Sequence, residues 1–446
     1  MKRLHFSWIH FISLRLSGLS RKKINGEKGF SFARIAPSLG IGVGVMALIV
    51  IIAVMNGFQS TSINSLMEIS SYHVKITTDD KVFSLNQSFV DELKAMEEVE
   101  CVIPMCEVQS LIVGSRGKQD AAFIRSVPER LIFEDDGFAH NMKMISGDFK
   151  LDREKSIILG TTLAKHLGVR VGDTVNLLAL SGSSQVELFS EDRVLKVAGI
   201  FECPYLEINS TFAFTSIDAL NQMTDNGLPV AYGIKLKEKN RDGIFIQKIL
   251  KDEKLAECGI NLSEENVLSW RVLNKSFFGA LRIEKNVLLL LVLLIFLVVG
   301  INIYNGMRRM VFEKKEDICI LNALGASRKH IQLSFVMQGF YVALAGAVPG
   351  LLLGLLISSN IDVVFTLISK ITYYFQYFFM LIFSPQNAYY VTENYVFLYY
   401  AEIPAIIGFW ETFYVTIFGI LSALISSYIA SRKVMSFKIA EVLHDE

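Results

Sequence analysis

EKKEDICILNALGAS, Glu313 to Ser327, is a short charged stretch held between two long apolar runs, Val287–Val299 and Ile331–Leu356. A segment this short between two membrane spans has no core of its own. Ile318, Leu321 and Leu324 recur at every third position, which in a helix sets them along one side. Gly325 then reads as a helix stop and Ser327 as the cap of the next helix. Two readings fit: a solvated connector between spans, and a helix that docks in a groove on a cytoplasmic partner.

The flanks place this stretch inside the cell. Arg308, Arg309, Lys314, Lys315, Arg328 and Lys329 cluster around it, and basic residues in short loops collect on the cytoplasmic side. Pro349 is a potential kink in the run that follows. Val363–Phe383 is apolar enough to cross, but it holds Lys370 and many tyrosines. A further crossing would also send Arg432, Lys433 and Lys438 outside, so this segment is expected to lie at the outer interface. Phe409–Ala430 is the last span.

Toward the N-terminus, Met1–Arg34 is basic. Leu4, Trp8, Phe11 and Ile12 share a helical face there, which suits a helix lying along the bilayer. Ala36–Phe58 reads as an uncleaved span. Its Gly40 and Gly44, four residues apart, are expected to admit a close neighbour helix. Four spans with both termini inside result.

Between the first two spans, Gln59–Leu281 changes character. Short alternating stretches suggest strands at Tyr72–Thr77, Ala121–Val127, Thr174–Leu180, Val194–Ile200 and Tyr232–Leu236. Phe89–Glu98, Ile217–Met223 and Ile244–Leu250 read as helices. The region is long enough to bury its own core as an α+β domain on the far side of the membrane.

Composition narrows the function. Of 446 residues 52% are hydrophobic and the mean hydropathy is +0.40, which is membrane-like, while a net charge of zero gives no sign of nucleic-acid binding. There is no GxxxxGK[ST], HExxH or GxSxG motif, and Gly114–Lys118 has the wrong spacing for a phosphate loop. The spans lack central ionisable residues, which argues against an ion-coupled carrier. The histidines are scattered, so no metal site is expected. Cys101 and Cys106 share a strand and stand about 16 Å apart if extended, too far to bridge unless Pro104 bends the chain. Together with Cys203, Cys258 and Cys319 they are expected as buried free thiols.

The Glu313–Ser327 stretch resembles the coupling helix of the FtsX-like permeases, the membrane subunits of one class of ABC transporter. Ile41–Phe58, IGVGVMALIVIIAVMNGF, resembles the first span of the LolC/LolE lipoprotein-releasing subunits. The similarity runs from about Phe11 to Val442. Asn322 stands where the family usually carries a basic residue.

The resemblance implies an α-helical membrane protein of the MacB/FtsX-like, type VII kind, with four transmembrane helices and a large α+β extracytoplasmic domain. Its expected plan is a basic interfacial helix at 1–35, spans at 36–58, 282–305, 331–357 and 409–430, and a periplasmic domain at 59–281 with a β-rich insert near 147–215. A coupling loop at 306–330, an outer interfacial loop at 358–408 and a cytoplasmic tail at 431–446 complete it.

The implied function is ATP-driven extraction of lipoproteins from the bacterial inner membrane. ATP and Mg are bound by a separate partner, a LolD-like ATPase dimer, and the chain itself is no enzyme and holds no cofactor. A second LolC/LolE-like subunit, membrane lipids, lipoprotein substrates and a LolA-like periplasmic chaperone are the other implied partners. Glu313, Lys314, Lys315, Glu316, Asp317, Ile318, Leu321, Leu324 and Gly325 would contact the ATPase. Met55 and Phe58 would touch acyl chains. Val186, Leu188 and Phe189, in the loop Leu180–Arg193, would form the chaperone hook; that loop is short and lacks proline, unlike the family's hook. Three alternatives stay open: a MacB-like efflux permease, an FtsX-like regulator of cell-wall hydrolases, and a membrane-anchored scaffold.

Overall fold

The computed structural model describes residues 13, 32–78, 85–151, 155–180, 193–223, 228–392 and 395–432. Nearly all of the expected N-terminal helix, the tail beyond Arg432, and Val186, Leu188 and Phe189 lie outside the described residues. The chain divides into two compact units: residues up to Gln59 and from Arg282 onward, and Ser60–Leu281.

In the first unit, α1 (Phe32–Ser65), α2 (Lys275–Glu313), α4 (Arg328–Ser359) and α7 (Phe409–Ser431) form a bundle. Among the described residues, these supply the four segments long and apolar enough to cross a membrane. Between α2 and α4 lies α3 (Lys315–Ala323); between α4 and α7 lie α5 (Ile361–Phe383) and α6 (Tyr395–Ala401). Helix α4 continues through Pro349.

Small residues set the packing. Gly346, Gly350 and Gly354 of α4 meet Ser38, Gly42 and Ile49 of α1 in the same chain direction, so these helices are parallel. A Cβ on Gly42 would stand 3.0 Å from the Gly346 oxygen, and only glycine lets the backbones come this near. The expected approach through Gly40 and Gly44 is therefore corrected. Gly40 faces open space, and Gly44 meets only side chains of Ile295 and Val299 at 3.6 Å. The close row is Ser38, Ile41, Gly42, Met46 and Ile49.

Helix α2 runs against α1, with Gly44 beside Ile295 and Gly306 beside Pro37. Helix α7 runs with α2: the Phe296 and Phe418 rings are 5.1 Å apart, and the Ser422 hydroxyl donates to the Phe296 carbonyl at 3.0 Å. Gln59, Glu284, Ser359 and Phe409 therefore mark one end of the bundle. There the Gln59 amide donates to Glu284 at 3.3 Å.

The second unit is built on ten strands among the described residues: β1 (Val74–Thr77), β2 (Val99–Gly114), β3 (Gln119–Val127), β4 (Lys143–Gly147), β5 (Ser156–Gly160), β6 (Thr174–Leu180), β7 (Val194–Glu202), β8 (Phe212–Ser216), β9 (Val230–Leu236) and β10 (Val267–Ser269). Strand β2 is the long one. Its first half pairs with β9, and its second half pairs with β3 on one side and β6 on the other. The pairings β2–β3, β3–β8, β8–β5, β5–β7, β7–β6 and β6–β2 close a ring, with β3–β8 and β5–β7 parallel. Closure removes free edges from these strands. Val108, Ile112, Ile124, Leu159, Val175 and Leu195 belong to the core of this unit. The strands of 147–215 thus share one sheet with β2 and β3.

Candidate functional site

Three places carry chemistry beyond packing. The first is α3. Asp317 pairs with Lys314 at 2.8 Å, and Glu313 with Arg309 at 2.8 Å. Gly325 has φ of 91°, and the Ser327 hydroxyl caps α4 by accepting from the His330 N–H. Of the apolar stripe, only Leu324 lies on the expected docking face; Ile318 and Leu321 turn toward the bundle. Ile318 is only 1% exposed, sealed with Val311 and Ile331 in the bundle core, and Leu321 packs on the same cluster. A side chain this deep cannot form a partner surface, so Ile318 is corrected to an anchor. Leu324, 79% exposed, and Ile320 face outward, together with Lys315, Glu316 and Asp317 near the helix start. The threefold spacing found the stripe but could not say which side the bundle covers.

The second place is the end of α1 that carries Gln59. Met55 and Phe58 are half-buried there. The Asn56 amide donates to the Glu411 carboxylate. The Ile406 N–H donates to the Ala53 carbonyl at 2.9 Å, and Gly57 lies against the Pro404 oxygen. Residues 404–406 thus form a strap across α1. The Phe58 ring faces Tyr400 at 6.2 Å, and Tyr400 stacks on Phe365 at 5.9 Å. The predicted acyl-contact pair therefore sits beside an aromatic ladder fed by α5 and α6.

The third place is in the second unit, where the chain leaves α1 by a π-helical turn, Leu66–Ser71. A helix end leaves carbonyls without partners. Arg125 of β3, 1% exposed, donates to the carbonyls of Ile69 and Ser70. Its Nε and Nη2 also donate to Glu107 at 2.9 and 2.6 Å, and Lys75 donates to the other Glu107 oxygen. Burial pushes the Glu107 pKa up, but the charges of Arg125 and Lys75 outweigh it and hold the carboxyl below its usual range.

Nearby, Lys235 bridges Glu68 at 2.5 Å and Asp135 at 2.6 Å, and His73 accepts from the Leu236 N–H at 2.8 Å. Tyr72 lies between the two clusters, with Arg125 at 5.6 Å and Lys235 at 5.5 Å from its ring. Its φ of 56° is a region that a tyrosine enters at a cost of about 1–3 kcal/mol. The ring covers Gly233, where a Cβ would stand 2.5 Å from Cδ2.

Each of these carboxylates has a cationic partner, so the cluster positions the helix end rather than performing acid–base chemistry. A cleft of about 800 Å³ opens on this side of the sheet, lined by Lys75, Gln109, Leu111, Phe123 and Phe212 among others. Sequence reasoning passed over Arg125 and Lys235. The signal was there: each is a lone basic residue inside an apolar strand, AAFIRSV and AYGIKL, where an unpaired charge would be untenable.

Comparison with known proteins covers the chain in two parts. A family model described as the MacB-like periplasmic core domain matches residues 38–247, and one described as the FtsX-like permease C-terminal matches 289–439. The chain is 25% identical to the "Lipoprotein-releasing system transmembrane protein LolC" of Xylella fastidiosa over 98% of both chains. It is 29% identical to the LolC of Neisseria meningitidis, covering 78% of this chain and 82% of that one. It is 22% identical to the LolE of Haemophilus influenzae, over 73% and 77%. The periplasmic region of MacB from Actinobacillus actinomycetemcomitans aligns at 11% identity and a TM-score of 0.32, covering 46% of this chain and 93% of that structure.

Proposed function

We propose, from the premise that this chain belongs to the FtsX-like ABC permeases of the LolC/LolE kind, that it is the membrane subunit of a lipoprotein-releasing exporter. The observation that carries this reading is the end-to-end similarity to LolC, over 98% of both chains.

Several features of the geometry support the rest of this reading. A separate ATPase dimer docks on Ile320 of α3 and on Leu324, the residue that ends it, with Glu316 and Asp317 orienting it. Ile318 and Leu321 tie α3 to the bundle core, so a push on α3 is passed to the spans. Both chain passages between the two units fall within helices, α1 and α2. Motion of α1 is delivered to the sheet through Arg125, which grips the carbonyls of Ile69 and Ser70. ATP binding thereby shifts the population between two arrangements of the assembly.

Lipoprotein acyl chains rest against Met55 and Phe58, whose flexible and aromatic bulk suits varied chains. Exposing an acyl chain to water costs about 0.8 kcal/mol per CH₂, so release requires both ATP and a receiving periplasmic chaperone. In this reading the bundle end with Gln59 faces the periplasm of a bacterial inner membrane, and a second LolC/LolE-like subunit completes the pair.

The test is release of a radiolabelled lipoprotein from proteoliposomes holding the assembled complex, with a soluble chaperone outside. Release that requires both ATP and chaperone is expected. Release independent of ATP, or none from an ATPase-active complex, would falsify the export reading.

A further inference from the structure

We propose that the second half of α5, Tyr374–Phe383, is an arm immersed in membrane lipid beside the outer end of α1. This rests on the membrane placement proposed above. The helix divides near Tyr373. In its first half Ile361 and Ser369 are buried, and Phe365 stacks on Tyr400. The strap that follows α6 is tied back to Ala53 of α1. This half is therefore fixed to the bundle.

From Tyr374 to Phe383 every residue is exposed, and all but Gln376 are apolar or aromatic. At 3.6 residues per turn, these residues pass around the helix nearly three times, so the apolar surface has no polar side. A protein partner, whether a second copy of this chain or the cargo, would dry one face and leave the rest in water. Hydrocarbon dries them all, and the occupant is therefore lipid.

The side chains are graded to match a bilayer. Tyr373, Tyr374 and Tyr377 pack on one another at the division, with ring centroids 5.4 and 6.2 Å apart. Tyrosines of this kind favour the headgroup level. Lys370 is exposed one turn earlier, where its stem can lift the ammonium to the phosphates. Beyond the tyrosines, Phe378–Phe383 extends about 9 Å at 1.5 Å per residue. That is short of the ~15 Å of hydrocarbon in one leaflet, so the arm enters a leaflet without crossing it. Both ends of the 360–408 segment return to the same end of the bundle, as an arm of this kind requires.

Site-directed spin labelling tests this on the assembled complex in vesicles of phosphatidylethanolamine and phosphatidylglycerol. Single labels are placed at F379C and L381C, on opposite sides of α5, in a background with Cys258→Ser. Leu352→Cys on α4 and Lys118→Cys in the outer turn serve as references, both being exposed positions. Labels at 379 and 381 are expected to collide with oxygen more than with a water-soluble nickel chelate, as at 352, and opposite to 118. Nickel access at either arm position while 352 stays lipid-like would overturn the arm. Shielding of one arm position from both reagents would overturn it in favour of a protein contact. Nickel access at 352 would overturn the membrane placement, and the arm with it.

Discussion

The backbone N–H of Ile406 donates to the carbonyl oxygen of Ala53 across 2.9 Å. Ala53 lies in the interior of α1, so its oxygen also stands in line with the N–H of Gly57 in the helix ladder. A second donor on such an oxygen needs the incoming backbone to come very near. Gly57, with nothing between its Cα and Pro404, permits this.

Replacing Gly57 by valine should therefore lift the strap, at a cost of about 1–3 kcal/mol for the overlap. Lipoprotein release should fall, while the ATPase still co-purifies, because α3 is untouched. A complex that releases cargo at the normal rate would show that the strap has no part in transport.

Two substitutions, one within α3 and one at the residue that ends it, separate docking from anchoring. Leu324→Asp should lower recovery of the ATPase at least tenfold and leave the melting temperature of the permease unchanged. Ile318→Asp should lower the melting temperature instead, since it buries a charge among Val311 and Ile331. Pull-down and thermal scanning on the same preparations read both; an intact ATPase complex with L324D would rule out the docking face.

Arg125→Met should destabilise the second unit by about 2–4 kcal/mol, because it strands two helix-end carbonyls and leaves Lys75 as the one cation facing the Glu107 charge. The acid response follows from the lowered pKa of Glu107. Its stabilising contribution is complete above the unfolded carboxylate value of about 4.3 and is lost as pH falls through the folded value. Unfolding midpoints of the detergent-solubilised chain should drop below about pH 4, and Glu107→Gln should flatten that drop while melting lower at neutral pH. An unchanged acid profile in the glutamine variant would assign the effect to other carboxylates.

The cysteines should label unequally. Burial pushes the thiols of Cys101 and Cys203 up to about 12 and that of Cys106 to about 11, while Cys258 is only half-buried. The expectation of five buried thiols thus fails at Cys258, which follows the short helix Glu253–Glu257. Maleimide at pH 8 should modify Cys258 first and the four buried thiols, Cys319 among them, only on unfolding, as mass spectrometry of peptides would report. Rapid labelling of Cys203 in the folded chain would contradict its burial.

Much of the architecture could be read from residue order, and the misses have physical causes. Long apolar runs announce membrane helices because hydrophobic content accumulates locally, and alternation announced β6 and β7. Strand β5, SIILG, is buried on both faces and so has no alternation to find. Ring closure was invisible, since it depends on pairings between residues far apart, such as Ile112 with Leu177. For the site, the apolar stripe of α3 was legible, but its orientation depends on where Val311 and Ile331 come to rest. Arg125 carried a readable signal; its target, the end of α1, did not.

Strand β2 serves two neighbourhoods at once, with β9 along its first half and β3 and β6 along its second. A strand has one register, and sliding it by a single residue would turn its inward side chains outward throughout. Neither neighbourhood can shear while the other stays still. A displacement of β2 along its own axis is therefore shared by β3, β6 and β9, which hold one another in step through it.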